Sequence, residues 1–113
     1  NSSNYITILK NGSNDDFYTL CAVGGSTQMS YQGTGSLSDN AKIAVAYANN
    51  DFVIYVNGTQ VHTDTSGSVP TCSNIFIGKR ENGTLTYATG GSVKQSVLFP
   101  TRLTNAELAA LTA

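Results

Sequence analysis

The chain has 113 residues, enough for one domain with a modest core. Only 12% of the residues are charged and the net charge is -1, so nothing in the composition steers the protein to nucleic acid or an anionic membrane. No apolar run approaches the ~18 residues of a transmembrane helix, and the polar surface has to come from Ser, Thr, Asn, Gln and Gly, which suits an extracellular setting, a neutral glycan ligand or an inert spacer.

The chain opens on the polar residues 1–4 and holds its only methionine at Met29, so it reads as a processed product or a piece of a larger protein. Residues 5–9 (YITIL) predict a first strand, β-branched and aromatic. Residues 10–16 (KNGSNDD) form a turn, and residues 17–23 (FYTLCAV) return as a second strand. Gly24 and Gly25 break it, residues 28–32 (QMSYQ) give a short third strand, and a Gly- and Ser-rich loop runs to Asn40.

Residues 42–58 hold the densest apolar material. Ile43, Val45 and Tyr47 alternate with Ala44 and Ala46, the period of a strand. Asn49-Asn50-Asp51 makes a turn. Residues 52–56 (FVIYV) are apolar at every position, so this strand is expected to be covered on both faces. Asn57-Gly58 is a hairpin signal, because both residues accept positive φ, and residues 59–63 (TQVHT) are the return strand. A loop then leads to residues 74–77 (NIFI), predicted as a strand, and to the charged turn KRENG at 79–83. Residues 84–87 and 92–99 complete the predicted strands, and Pro100 ends the last.

The tail differs. Thr104 and Glu107 are spaced as a capping box, and Leu103 and Leu108 as a hydrophobic staple. They predict a short C-terminal helix over one end of the sheets, with Leu108 and Leu111 on one face. Seven to nine short strands separated by Gly, Asn and Ser turns specify an all-β sandwich in a single domain, 1–113. Cys21 and Cys72 read as two free, buried thiols, with one bridge as the alternative. Four Asn-x-Ser/Thr sites begin at Asn1, Asn11, Asn57 and Asn82, and the three Asn-Gly pairs among them are already explained as turns.

Together KIAVAY, NDF, YVNG, the IG pair, GSVK and the ending FPTRLTNAELAALT resemble the C-terminal part of concanavalin A-like (laminin-G-like) jelly-roll domains. Within that group the resemblance is to the version found in bacteriophage tail fibre and tail spike proteins, whose ending is matched by Pro100, Arg102, Leu103, Glu107 and Leu108. It implies a jelly-roll sandwich of two antiparallel sheets with a short C-terminal helix. Complete domains of this kind carry strands before the point where this chain begins, so N-terminal strands are missing or neighbouring subunits complete the sandwich. The resemblance therefore implies a homotrimer within a larger fibre or virion.

Several residue groups could carry chemistry. The glucanases of this fold use two Glu flanking an Asp on one strand; this chain has only Glu81 and Glu107, far apart, and Glu107 already serves the cap. His62, Asp64 and Ser66 lack the third partner and oxyanion hole of a triad, and His62 reads as a surface histidine. Asp15 and Asp16, with Asn14, place oxygens in a turn where calcium could bind, but without EF-hand spacing. A glycan site would draw on Tyr31 and Tyr87 as aromatic platforms and on Arg80, Glu81 and Asn82 as polar contacts. The competing account makes both tyrosines half-buried strand residues and KRENG a solvated turn. Arg102 reads as structural, bonding backbone near the helix start. No cofactor is expected. The expectation is a non-enzymatic module contacting cell-surface polysaccharide from a virion tail or other extracellular fibre, with a structural decoration domain and a glycan hydrolase as alternatives.

Overall fold

A computed structural model describes residues 3–10, 16–34, 37–77 and 93–113. Among the described residues there are six strands: β1 (Tyr5–Lys10), β2 (Phe17–Val23), β3 (Ser26–Gly33), β4 (Ile43–Ala48), β5 (Asp51–Val56) and β6 (Thr59–Asp64). They form two three-stranded antiparallel sheets, β1-β2-β3 and β4-β5-β6. One helix, α1 (Asn105–Thr112), follows. Each sheet is a meander of consecutive hairpins, so its register is set locally by its turns. Gly24 and Gly25 (φ 58° and 83°) join β2 to β3, and Asn57 and Gly58 (φ 48° and 80°) join β5 to β6. Both turns place two residues in the left-handed region, which matches the twist of a tight hairpin.

β5 is the strand on which both layers meet. Phe52, Ile54 and Val56 face inward and pack with Phe17, Cys21 and Met29 of the opposite sheet and with Leu37 of the β3–β4 connection. Burial of each large apolar side chain is worth roughly 1.5–3 kcal/mol. Val53 and Tyr55 face outward and pack with Ala44, Ala46 and Leu108. Ala44 lies opposite Tyr55 and Ala46 opposite Val53. These two small residues leave room for α1 to lie on the sheet, and Leu108 fills that space. The two-sided burial expected of residues 52–56 is thus realised, with a sheet on one side and a helix on the other.

The helix sits differently from expectation. It contacts β4, β5 and β6, so it lies on the outer face of the second sheet and not over an end. Leu108 and Thr112 are its buried residues, whereas Leu111 is 49% exposed. The burial spacing is four rather than three, because the docked stripe is narrow and Thr112 has polar partners beneath it. Thr112 Oγ1 donates to Leu108 O at 2.8 Å and accepts from Gly58 N at 3.0 Å. Lys42 Nζ donates to Ala113 O, and Asn57 bonds Lys42 through its own N–H and side chain. The β5–β6 turn is thereby fastened to the end of the helix.

Two predicted strands are not strands. Residues 74–77 and 93–99 are irregular and join neither of the described sheets. Ile75, Phe76, Ile77, Val97, Leu98 and Phe99 are exposed. Their composition meets the local requirement of a strand, but a strand also needs a neighbour to complete its hydrogen-bond ladder. The predicted strand at 84–87 and the KRENG turn lie outside the described residues.

A strap after β6 closes one end of the sandwich. Asn50 N donates to Gly67 O at 2.8 Å, and Gly67 N donates to Asn50 Oδ1 at 3.2 Å. Val69 N donates to Asn49 Oδ1, and Ser68 donates through N and Oγ to Gln28 Oε1. The strap therefore ties the β4–β5 turn to β3. Gly67 sits at φ 110°, and a Cβ there would stand 3.0 Å from Gln28 O and 3.3 Å from the Phe52 ring. Gly67→Ala is expected to cost about 2 kcal/mol, from backbone strain and the clash. Urea unfolding checks this, and a midpoint equal to the parent's would show that the strap does not hold the sheets together.

Candidate functional site

The inward face of β2 and β3 carries Phe17, Thr19, Cys21, Met29 and Tyr31, because alternate residues of a strand share a face. Tyr31 lies directly opposite Thr19 in the β2–β3 ladder. Its ring stacks on His62 of β6 at a centroid distance of 4.9 Å and an interplanar angle of 29°. It meets Phe17 at 5.6 Å, tilted by 58°. Tyr31 and His62 thus bridge β3 and β6, the strands through which the two sheets touch at this edge. His62 is half-buried and stacked, which corrects its reading as a simple surface histidine.

Two polar atoms beside this ring pair are unsatisfied. Thr19 Oγ1 and His62 Nε2 are buried without a hydrogen-bond partner. Native structures pair more than about 90% of such groups, with protein, water or ligand. A buried Asp16 lies at the start of β2 and accepts from Gln32 Nε2 at 3.4 Å. The β3–β6 edge therefore combines aromatic surface with uncommitted hydrogen-bonding groups, the pairing a neutral polar ligand requires. One face of Tyr31 is taken by His62, so a ligand would meet the ring from its edge or in place of the histidine.

Of the predicted ligand-binding residues, only Tyr31 is described. Arg80, Glu81, Asn82 and Tyr87 lie outside the described residues, as does Asp15. The candidate calcium residue Asp16 is engaged with Gln32. Among the described residues no three His, Cys, Asp or Glu side chains come together as a metal ion would need. Thr19 carried no sequence signal as a site residue, because a threonine in a strand is ordinary and its lack of a partner emerges only from three-dimensional packing.

The other candidate polar groups are engaged elsewhere, although Arg102 Nε, far from this edge in sequence, is also buried without a partner. Ser66 donates to Asp64 Oδ1 through N at 2.9 Å and Oγ at 2.8 Å. These bonds, backbone first, hold the exposed Asp64 carboxyl below its ordinary range, with a smaller contribution from His62. The Ser66 hydroxyl is directed to the carboxylate and not to the imidazole. Glu107 accepts from Thr104 Oγ1 and N, each at 2.7 Å, while Thr104 Oγ1 accepts from Glu107 N at 3.3 Å. The capping box is complete, and Thr104, side chain first, keeps the Glu107 carboxyl below its usual range. Arg102 Nη1 donates to Leu103 O at 2.6 Å and Nη2 donates to Asp51 Oδ1 at 2.9 Å, which fixes the helix start to the first residue of β5. Asn57, Gly58, Thr104 and Glu107 all occupy turn or cap positions.

Two antiparallel sheets packed face to face, with a short helix on one outer surface, define a sandwich of the concanavalin A type. The chain belongs to the concanavalin A-like lectin/glucanases superfamily (Laminin_G_3), whose family profile matches residues 1–109. Among solved structures it is similar to an S-layer domain-containing protein (residues 221–444) from Clostridium thermocellum, with a TM-score of 0.57 and 17% identity. That likeness covers 100% of this chain and 58% of the other, so the chain spans just over half of that neighbour, and at this identity the likeness shows the fold alone. No curated protein matches the chain.

Proposed function

We propose that this domain is a non-enzymatic carbohydrate-binding module of an extracellular assembly, of the phage tail fibre or spike kind, that contacts cell-surface polysaccharide. The observation that carries this reading is the β3–β6 edge, where Tyr31 and His62 stand beside the unpartnered Thr19 Oγ1 and His62 Nε2. Both atoms are closed to solvent, Thr19 completely so, so a sugar hydroxyl, which both donates and accepts, would reach them only in place of the His62 ring, while its C–H face suits the aromatic edge. The weakly charged surface fits a neutral ligand. Calorimetric titration with a panel of bacterial surface polysaccharides tests the reading. Binding should appear in the micromolar to millimolar range and weaken about tenfold or more in His62→Ala, the equivalent of ~1.4 kcal/mol. No binding by the folded domain at millimolar ligand would overturn it.

A second reading has its own observation. Ile75, Phe76, Ile77, Val97, Leu98 and Phe99 leave apolar surface exposed in one copy of the chain, and such surface commonly marks an association site. In this reading the domain is a structural part of a fibre or virion, and two further copies cover these segments in a homotrimer. Native mass spectrometry separates the readings: a monomer that binds glycan supports the first, and an obligate trimer without glycan affinity supports the second.

A further inference from the structure

Cys21 and Cys72 are both free, one buried and one exposed. They nonetheless lie at one corner of the molecule. The Cys21 thiol, on the inward face of β2, donates to Ser68 O of the strap at 3.8 Å. Four residues further along the strap, the Cys72 thiol donates to Asn4 O at 3.8 Å. Asn4 immediately precedes β1, where Tyr5 lies opposite Ala22 and Ile6 opposite Cys21. Asn4 and Cys21 are therefore diagonal neighbours across the β1–β2 ladder, at roughly 7–8 Å between Cα atoms. The strap thus runs from Gln28 of β3, past Cys21 of β2, to the start of β1, and brings Cys72 to the strand that pairs with the one carrying Cys21.

We propose that Cys21 and Cys72 form an intramolecular disulfide in oxidising surroundings, a covalent staple that fixes the strap across the end of the first sheet. The oxidant is a small-molecule disulfide such as glutathione disulfide. The exposed Cys72 thiolate attacks it, its S–S bond breaks, and Cys72 becomes a mixed disulfide while one glutathione thiolate leaves. Cys21 then attacks the Cys72 sulfur and expels the second glutathione, which takes up the Cys21 proton. The protein loses two electrons and two protons, and two glutathione thiols are produced. Cys72 belongs to an irregular segment that joins no ladder among the described residues, so it can shift toward the geometry a disulfide demands without breaking one. Burial, followed by the charge of Cys72, pushes the Cys21 thiol up to about 11, which makes the second step the slow one. The closed loop contains β3, β4, β5 and β6, about 50 residues, long enough for a large loss of freedom in the unfolded chain.

The folded chain incubated with glutathione disulfide, then alkylated and weighed, tests the proposal. The expected product has lost two hydrogens, yields a Cys21–Cys72 cross-linked peptide, and melts on the order of 10 °C higher than the reduced chain. Dithiothreitol should reverse the shift, and Cys72→Ser, an exposed change, should show no shift with oxidant. A lasting glutathione adduct on Cys72, or a disulfide between two chains with Cys21 still reduced, would overturn it.

Discussion

Gly33→Ala is expected to lower stability by about 3 kcal/mol, near the top of the range for overpacking a core. Gly33 lies opposite Phe17 in the β2–β3 ladder, and the Phe17 ring lies over it. A Cβ at residue 33 would stand 2.3 Å from Phe17 Cε1 and 2.8 Å from Cδ1. Phe17 is 1% exposed and packs with Met29, Leu37 and Phe52, so the ring cannot swing aside freely. The change should appear as a lower denaturation midpoint with an unchanged slope. In the Phe17→Leu background the same substitution should cost less than half as much, since the two effects share one contact. Equal cost in both backgrounds would show that the clash is not with this ring.

Leu108→Ala is expected to cost about 3 kcal/mol, within the usual range for a buried leucine. α1 has eight residues, too few to persist alone in water. Its capping box organises the first turn, but docking depends on Leu108 against Val53, Tyr55, Ala44 and Ala46. Amide exchange provides the finer test. In the variant the amides of α1 should exchange far faster, while those of β5 keep most of their protection. Retention of helix protection would mean that the cap and the Arg102–Asp51 pair hold the helix without its apolar anchor.

Where structure arises from near neighbours, the residues announced it. The Asn57-Gly58 turn, the Thr104–Glu107 box and the apolar alternation of residues 43–47 each act within a few positions. The run at 52–56 even announced a longer-range fact, because five consecutive apolar residues make sense only if both faces are covered. What stayed hidden depends on partners distant in the chain. The strap uses Gln28, Asn49 and Asn50, ordinary polar residues with no periodicity. Residues 74–77 and 93–99 carry a strand pattern but join no ladder among the described residues. The Tyr31–His62 stack joins positions in different sheets, and Tyr31 was recognised as a candidate only for its ring. Neither Thr19 nor the second nitrogen of His62 could be known to lack a partner until both sheets were in place.

The meander connectivity of the two sheets has a consequence for assembly order. Among the described residues every strand pairing joins sequence neighbours, so either hairpin set can zip up before the other exists. The links that unite them span far more chain: 40 residues from Ser68 to Gln28, and 68 from Cys72 to Asn4. Their closure entropy falls due late, after local pairing has already restricted the chain. The strap is then the clasp fitted last in folding and released first in unfolding, and between those events each half would exist briefly as a separate ribbon with its greasy side open to water.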